Sequence, residues 1–225
     1  MNTTPGRVLV VDDDPSVRKS LVRLFRSAGW EAEAFGSADE FLARDSSDTS
    51  SCLVLDMRMP QVTGAELQQQ LKQAGIRIPI VFLTGHGDVP LTAKAMKLGA
   101  VDVLTKPVEA EDLLEAVRLA LETDRTARAA EAEVDELRRR LSRLTKRERE
   151  VLQVVIAGLR NKQIAGELGT TERTVKVHRG RVMQKMEADS VADLVRAAER
   201  LGIAAYVPRP GVVPGTHRQS DHSGS

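Results

Sequence analysis

The sequence predicts an α/β domain built on a doubly wound, five-stranded parallel sheet, then an all-α domain, with a helical linker joining them. Three observations carry that expectation. Short apolar runs alternate with segments of helical periodicity through the first half of the 225 residues. Several of those runs lack apolar–polar alternation, so helices should cover both faces of the sheet. From Leu121 to Leu144 the composition turns to Ala, Glu and Arg without Gly or Pro, and short helices separated by Gly-containing turns follow.

The strands are expected at Arg7–Val11, Glu31–Phe35, Cys52–Leu55, Ile80–Thr84 and Asp102–Thr105. The first helix, Pro15–Ala28, has Asp14 as N-cap and Pro15 at its first position, where a missing N–H costs nothing. Ser37–Ala43, Gly64–Ala74 and Pro90–Leu98 follow as helices, and Glu109–Glu122 closes the unit. Short connections between strand and helix imply right-handed crossovers. In such a sheet the C-terminal strand ends gather on one edge, and ligands bind in the crevice there.

Chemistry collects at that edge. Asp12-Asp13-Asp14 closes the first strand, Asp56 the third and Thr84 the fourth, while Lys106-Pro107 follows the fifth. Carboxylates from two strands and a lysine from a third make an anionic pocket with one cation. Such a pocket can hold a hard divalent metal and present one aspartate to a phosphoryl group. Taken singly, an acid after a strand is usually a helix cap or a solvated turn; the combination is harder to explain that way.

Residues 7–123 resemble the receiver domain of two-component response regulators. The likeness rests on Asp12-Asp13, Asp56-Met57-Arg58-Met59-Pro60, Thr84-Gly85-His86-Gly87-Asp88-Val89-Pro90 and Lys106-Pro107, the third run being similar to the FixJ-type subgroup. The resemblance implies a flavodoxin-like strand order, with Asp56 as phosphoacceptor forming an acyl phosphate. It implies Mg2+ held by Asp12, Asp13, Asp56 and the backbone carbonyl of Arg58, with Asp12 reached through water. Lys106 and Thr84 are then expected to contact phosphoryl oxygens, and Gly85 to leave room for the group. The Lys106–Pro107 peptide is a candidate for the cis form. His86 and the Arg58 side chain are expected to face solvent or to modulate phosphoryl lifetime. Val103 departs from the family, which often carries Tyr or Phe there as the aromatic half of a threonine–aromatic switch.

In the linker, Val134, Leu137, Leu141 and Leu144 step by heptad-like intervals. They predict a helical linker that pairs weakly between subunits, the alternative being a solvated helix that merely joins two domains. Thr145 and Glu148 then form a capping box that opens a helix to about Ala157. Asn161 is expected to cap a second helix through Leu168, and Thr171 begins a third that runs to about Met186. Val175, Val182 and Met186 should face inward, leaving Lys176, Arg179 and Lys185 more exposed. Val191–Arg200 forms a last helix with Leu194, Ala197, Ala198 and Leu201 on one stripe.

A helix, a short Gly-containing turn and a helix make a helix-turn-helix layout. Residues 144–203 resemble the LuxR/NarL-type DNA-binding domain through Leu144-Thr145-Lys146-Arg147-Glu148-Arg149-Glu150-Val151-Leu152, Asn161-Lys162-Gln163-Ile164-Ala165 and Thr174-Val175-Lys176-Val177-His178. The resemblance puts the helix from Thr174 in the major groove. Lys176, Val177, His178 and Arg181 would lie at base edges, and Asn161, Lys162, Thr174 and Arg179 at phosphates. The last helix is where this family dimerises.

Charge agrees with this division. Net charge is +1, but residues 1–124 hold 13 Lys and Arg against 19 Asp and Glu, and the remainder 20 against 13. An acidic front half joined to a basic back half confines nucleic-acid contact to the C-terminal portion. The single Cys52 excludes an intramolecular disulfide framework and a Cys-based zinc site, and reads as a small core residue. No apolar run is long enough to span a bilayer and no secretory signal precedes Asp12, so the expected location is cytoplasmic. His217 and His222 lie in a Pro/Gly/Ser-rich tail expected to be disordered.

The domain plan is a receiver at 1–123, a linker at 124–143, a DNA-binding domain at 144–206 and the tail at 207–225. The function implied is a DNA-binding transcriptional response regulator rather than an enzyme, although the receiver itself would catalyse phosphoryl transfer to Asp56 and slow dephosphorylation. Its expected partners are a sensor histidine kinase, double-stranded DNA bearing an inverted repeat, a second copy on phosphorylation, and RNA polymerase, with no membrane. Two rival classes are a phosphorylation-independent or ligand-gated LuxR-type factor and a small-molecule phosphatase. The first would need an apolar ligand pocket, which 3% aromatic content does not favour. The second would need an acid two residues past the nucleophile, where Arg58 stands.

Overall fold

The computed structural model describes residues 6–44, 49–85 and 89–207. His86, the loop around it and the tail with His217 and His222 lie outside the described residues. The chain forms two compact units, Met1–Ala129 and Ala130–Ser225.

In the first unit the apolar runs become strands β1 (Arg7–Val11), β2 (Glu31–Phe35), β3 (Ser51–Asp56), β4 (Ile80–Thr84) and β5 (Asp102–Thr105). All neighbours are parallel, in the order β2-β1-β3-β4-β5, which is the expected flavodoxin-like order. The interleaved helices are α1 (Pro15–Ser27), α2 (Ala38–Leu42), α3 (Gly64–Gln73), α4 (Val89–Lys97) and α5 (Ala110–Ser142).

Successive strand residues point to opposite faces, and each face has its own core. Leu9, Val11, Leu53, Leu55 and Phe82 pack with Phe41, Leu67, Leu71 and Ala95 on one side. Val8, Val10, Cys52, Val54 and Val81 pack with Leu21, Phe25, Leu113 and Val117 on the other. Cys52 is fully buried, and burial pushes its thiol well above the ordinary range, so it is an inert core residue. Asp14 caps α1, accepting from the N–H groups of Ser16 and Val17.

The expected helix end at Glu122 is not observed. α5 runs on to Ser142, because the sequence there offers no Gly or Pro stop and supplies successive ion pairs such as Asp124–Arg128, Asp135–Arg138 and Glu136–Arg140. The boundary between the units therefore falls inside a helix.

The second unit packs the end of α5 with α6 (Lys146–Ile156), α7 (Asn161–Glu167), α8 (Glu172–Met186) and α9 (Val191–Arg200). Its core joins Leu144, Val151, Leu152, Val155, Ile164, Val175, Val182, Met186 and Leu194. The Thr145–Glu148 capping box is present. Arg160, not Asn161, is the N-cap of α7, and its N–H donates to the Gln163 side chain at 2.9 Å. Asn161 is already helical. The seam expected to pair between subunits is also used differently: Leu137 and Leu144 are buried, and Leu141 packs against the core of this same unit.

Candidate functional site: an acidic pocket and a basic helix

Parallel pairing brings the C-terminal ends of β1, β3, β4 and β5 side by side. Asp12 follows β1 directly and is buried; its Oδ1 accepts from the N–H of Asp14 at 2.8 Å, which fixes the carboxylate. Asp56 ends β3, also buried, and its Oδ2 accepts from the N–H of Arg58 at 3.0 Å. Lys106 reaches across from the end of β5. Its Nζ donates to Asp12 Oδ2 at 2.8 Å and to Asp56 Oδ1 at 2.6 Å. The Lys106–Pro107 peptide is cis, as expected, and the N–H of Lys106 donates to the Thr84 carbonyl at 2.7 Å.

Burial pushes the Asp56 carboxyl above the ordinary aspartate range, against the hydrogen bond and charge of Lys106. For Lys106 burial works downward, but its bonds to the two carboxylates and their charges outweigh it, and the ammonium is held above the usual lysine value. Thr84 is buried at the end of β4, while Asp13 is exposed on the turn after β1. The donor set is all oxygen, which suits Mg2+, a cation that keeps much of its water and accepts few carboxylates. Among the described residues no three acidic, histidine or cysteine side chains are gathered as a metal-holding group by themselves, so water and main-chain carbonyl would complete any such shell.

Two neighbours of the pocket escaped sequence reasoning. A Cβ on Gly64 would stand 2.4 Å from the Asp56 carbonyl and 2.9 Å from Phe82, so α3 starts against the backbone that carries Asp56. Arg18 Nη1 donates to the Asp12 carbonyl at 2.6 Å from α1. A lone Gly or Arg at a helix start carries no pattern that would have marked either role. Val103, at the position where an aromatic was expected, packs partly buried against the sheet core.

In the second unit α8 turns Val175, Val182 and Met186 inward. Lys176, Val177 and Arg181 are exposed together on its outer side, and Val177 is 48% exposed despite being apolar. His178 is half-buried, with its Nδ1 enclosed and lacking a hydrogen-bond partner. Thr174 is half-buried and shares a hydroxyl hydrogen bond with Thr171 at 3.0 Å, while Lys162 is exposed on α7. Arg179 is not freely exposed: it donates to Asn161 Oδ1 at 3.2 Å. Lys185 is likewise committed, donating to buried Glu148 at 2.7 Å and to the Arg143 carbonyl at 3.1 Å.

Comparison with known proteins agrees with both halves. The response regulator receiver domain family matches residues 8–118, and the luxR family of bacterial regulatory proteins matches residues 142–198. Nodulation protein W of Bradyrhizobium diazoefficiens is 51% identical over 203 residues, covering 90% of this chain and 89% of that one. The transcriptional regulatory protein FixJ of the same organism is 43% identical, covering 89% of this chain and 98% of that one. A low-resolution structure of the response regulator StyR has a TM-score of 0.80 at 50% identity, covering 88% of this chain and all of that one. With a receiver sheet in front and a luxR-family helical domain behind, the chain belongs to the two-component transcriptional response regulators.

Proposed function

We propose that Asp56 is the phosphoacceptor of this regulator and that a sensor histidine kinase is its donor. The observation that carries this reading is Lys106 Nζ spanning Asp12 and Asp56, at 2.8 and 2.6 Å. A buried carboxylate held beside a cation can attack phosphorus, and the same ammonium is in reach of the incoming oxygens. Thr84 is assigned the second contact to a phosphoryl oxygen. Mg2+ held by Asp12, Asp13, Asp56 and the Arg58 carbonyl would cancel the repulsion between nucleophile and phosphoryl group. Phosphoryl transfer within the receiver and slow loss of the group are then its only chemistry. The phosphatase reading fails on the residue two past the nucleophile, which is Arg58.

Phosphorylation is proposed to favour a receiver dimer and so a paired DNA-binding unit, RNA polymerase being the downstream partner. The exposed row Lys176, Val177 and Arg181, with His178 beside it, is assigned to base edges, an exposed valine suiting a thymine methyl. Lys162, Asn161, Thr174 and Arg179 are assigned to phosphates. A twofold dimer should select an inverted repeat. Among the described residues no helix is long and apolar enough to cross a membrane, which fits a cytoplasmic regulator.

Labelling with acetyl phosphate and Mg2+ tests the central step. The wild-type chain should acquire a hydroxylamine-sensitive label that Asp56→Asn loses entirely. A persistent acyl label on that variant sinks the assignment. Sedimentation across a dilution series, with and without phosphodonor, tests the dimer step.

A further inference from the structure

We propose that the groove between α1 and the edge strand β2 binds a small molecule carrying a diphosphate group. The groove has a volume of about 510 Å³, within the range of small-ligand sites. Arg18, Lys19, Arg23 and Arg26 line it, with Val22 and Ala34 as its apolar part, and no carboxylate is among its lining residues. Glu40 stands near the Arg18 guanidinium outside the lining, accepts from the N–H of Gly36 at 2.6 Å and offsets part of the Arg18 charge.

These four cations stand out against the rest of the chain. Along α5 the arginines at 118, 125, 128, 138 and 140 each meet an acid three or four residues earlier. α1 has no acid anywhere in its 13 residues, so Lys19 and Arg23 are like charges one turn apart, and Arg23 and Arg26 repeat the conflict. None of the four makes an ion pair with a described carboxylate. This lies in the half of the chain whose net charge is negative, where acids were plentiful.

Two of the cations are also fixed in place. Arg18 donates to the Asp12 carbonyl at 2.6 Å, and Arg26 donates to the Ala32 carbonyl at 3.1 Å. Neither contact neutralises charge, and Arg26 also borders a second groove lined by Glu31 and Glu33, so Lys19 and Arg23 are the cations given to this groove alone. A planar fork recognises phosphate oxygens in pairs, and Lys19 adds a point charge. Four positive groups exceed the charge of one phosphate monoester and suit two linked phosphates. The apolar surface of Val22 and Ala34 offers a seat for an uncharged remainder.

Titration of the full chain with inorganic pyrophosphate and, separately, with ADP tests the proposal, both without Mg2+ to keep the Asp56 pocket out of play. Calorimetry should give saturable binding, and amide shifts should centre on Val22 and Ala34. Tighter binding of ADP would identify a nucleotide as the ligand; equal binding would assign the site to the diphosphate alone. Lys19→Glu and Arg23→Glu should each weaken binding about tenfold or more, the loss expected for a charge-assisted contact. Both side chains are exposed, so the variants should keep the wild-type melting profile. Absence of saturable binding, equal affinity in the variants, or shifts confined to Thr174–Arg181 would overturn the site.

Discussion

The N–H of Ser51 donates to the Asp124 carboxylate at 2.9 Å, with both residues buried. Ser51 opens β3, whose other end is Asp56, and Asp124 lies on α5 where Arg128 also donates to it at 2.6 Å. One buried carboxylate thus secures the far end of the strand that carries Asp56, the proposed phosphoacceptor.

Asp124→Ala should leave the Ser51 N–H buried without an acceptor. A loss of about 1–3 kcal/mol is expected for such an orphaned group. Ser51→Ala keeps the N–H and removes only the hydroxyl bond to the Thr49 carbonyl, so it should cost less. Urea denaturation of the two variants decides. Equal destabilisation would mean that the carboxylate is not holding the strand.

Gly64→Ala would normally strengthen a helix start. Here the added methyl meets the Asp56 carbonyl and Phe82, neither a flexible chain end. The variant should lose roughly 1–3 kcal/mol, in line with overpacking of a close-packed interior. Its rate of labelling by acetyl phosphate should fall as well, because the backbone under Asp56 must shift. A variant with wild-type stability and labelling would refute the close approach.

Glu148 supplies a pH dependence. The hydrogen bond from Lys185, and next the N–H of Thr145, hold its carboxyl down to about 2. The folded state therefore binds this proton less readily than the unfolded chain does. Stability from this group is fully present above the ordinary carboxylate value and drains away as pH falls from there toward 2. Glu148→Gln should remove that acid limb and cost about 1–3 kcal/mol at neutral pH. Hydrogen exchange of α6 and α8 amides between pH 6 and 3 would show it; parallel profiles for variant and wild type would exclude the pair.

For the DNA-binding unit, Lys176→Ala is informative because its side chain is exposed and makes no described ion pair. If it reads a base edge, specific binding should weaken by about 1–3 kcal/mol on the matched site. If it touches phosphate alone, affinity should fall evenly and the salt slope should drop by about one. Gel-shift titrations at several salt concentrations separate the two. Unchanged affinity on every sequence would remove this helix from the interface.

Much of this was legible in the sequence because continuous apolar runs are costly anywhere but in a covered sheet. Val8–Val11, Leu53–Leu55 and Ile80–Leu83 announce strands, and their last residues necessarily share one edge. Asp12, Asp56, Thr84 and Lys106 could therefore be grouped before any fold was known. What stayed hidden depends on packing without periodicity. Asp124 sits in a charged run and looks like a solvated residue, yet it is buried under β3. Lys185 has the spacing of an exposed cation, but Glu148 claims it through the fold. Asn161 is an ordinary cap by type, although the chain enters α7 one residue earlier, at Arg160. Leu137 and Leu141 show a seam without saying which surface fills it.

That last point bears on where the regulator can be divided. The turns of α5 that read as a spacer are a structural prefix of the helical unit: Leu137 is buried, Arg140 pairs with Glu187 at 2.9 Å, and Arg200 pairs with Glu133. A fragment begun at Leu144 would bare an apolar patch and strip α9 and the end of α8 of their ionic partners. One begun near Ala130 would keep them. The autonomous DNA-binding module thus starts well upstream of its helix-turn-helix signature, and mutations in the apparent tether should register as folding defects in that module.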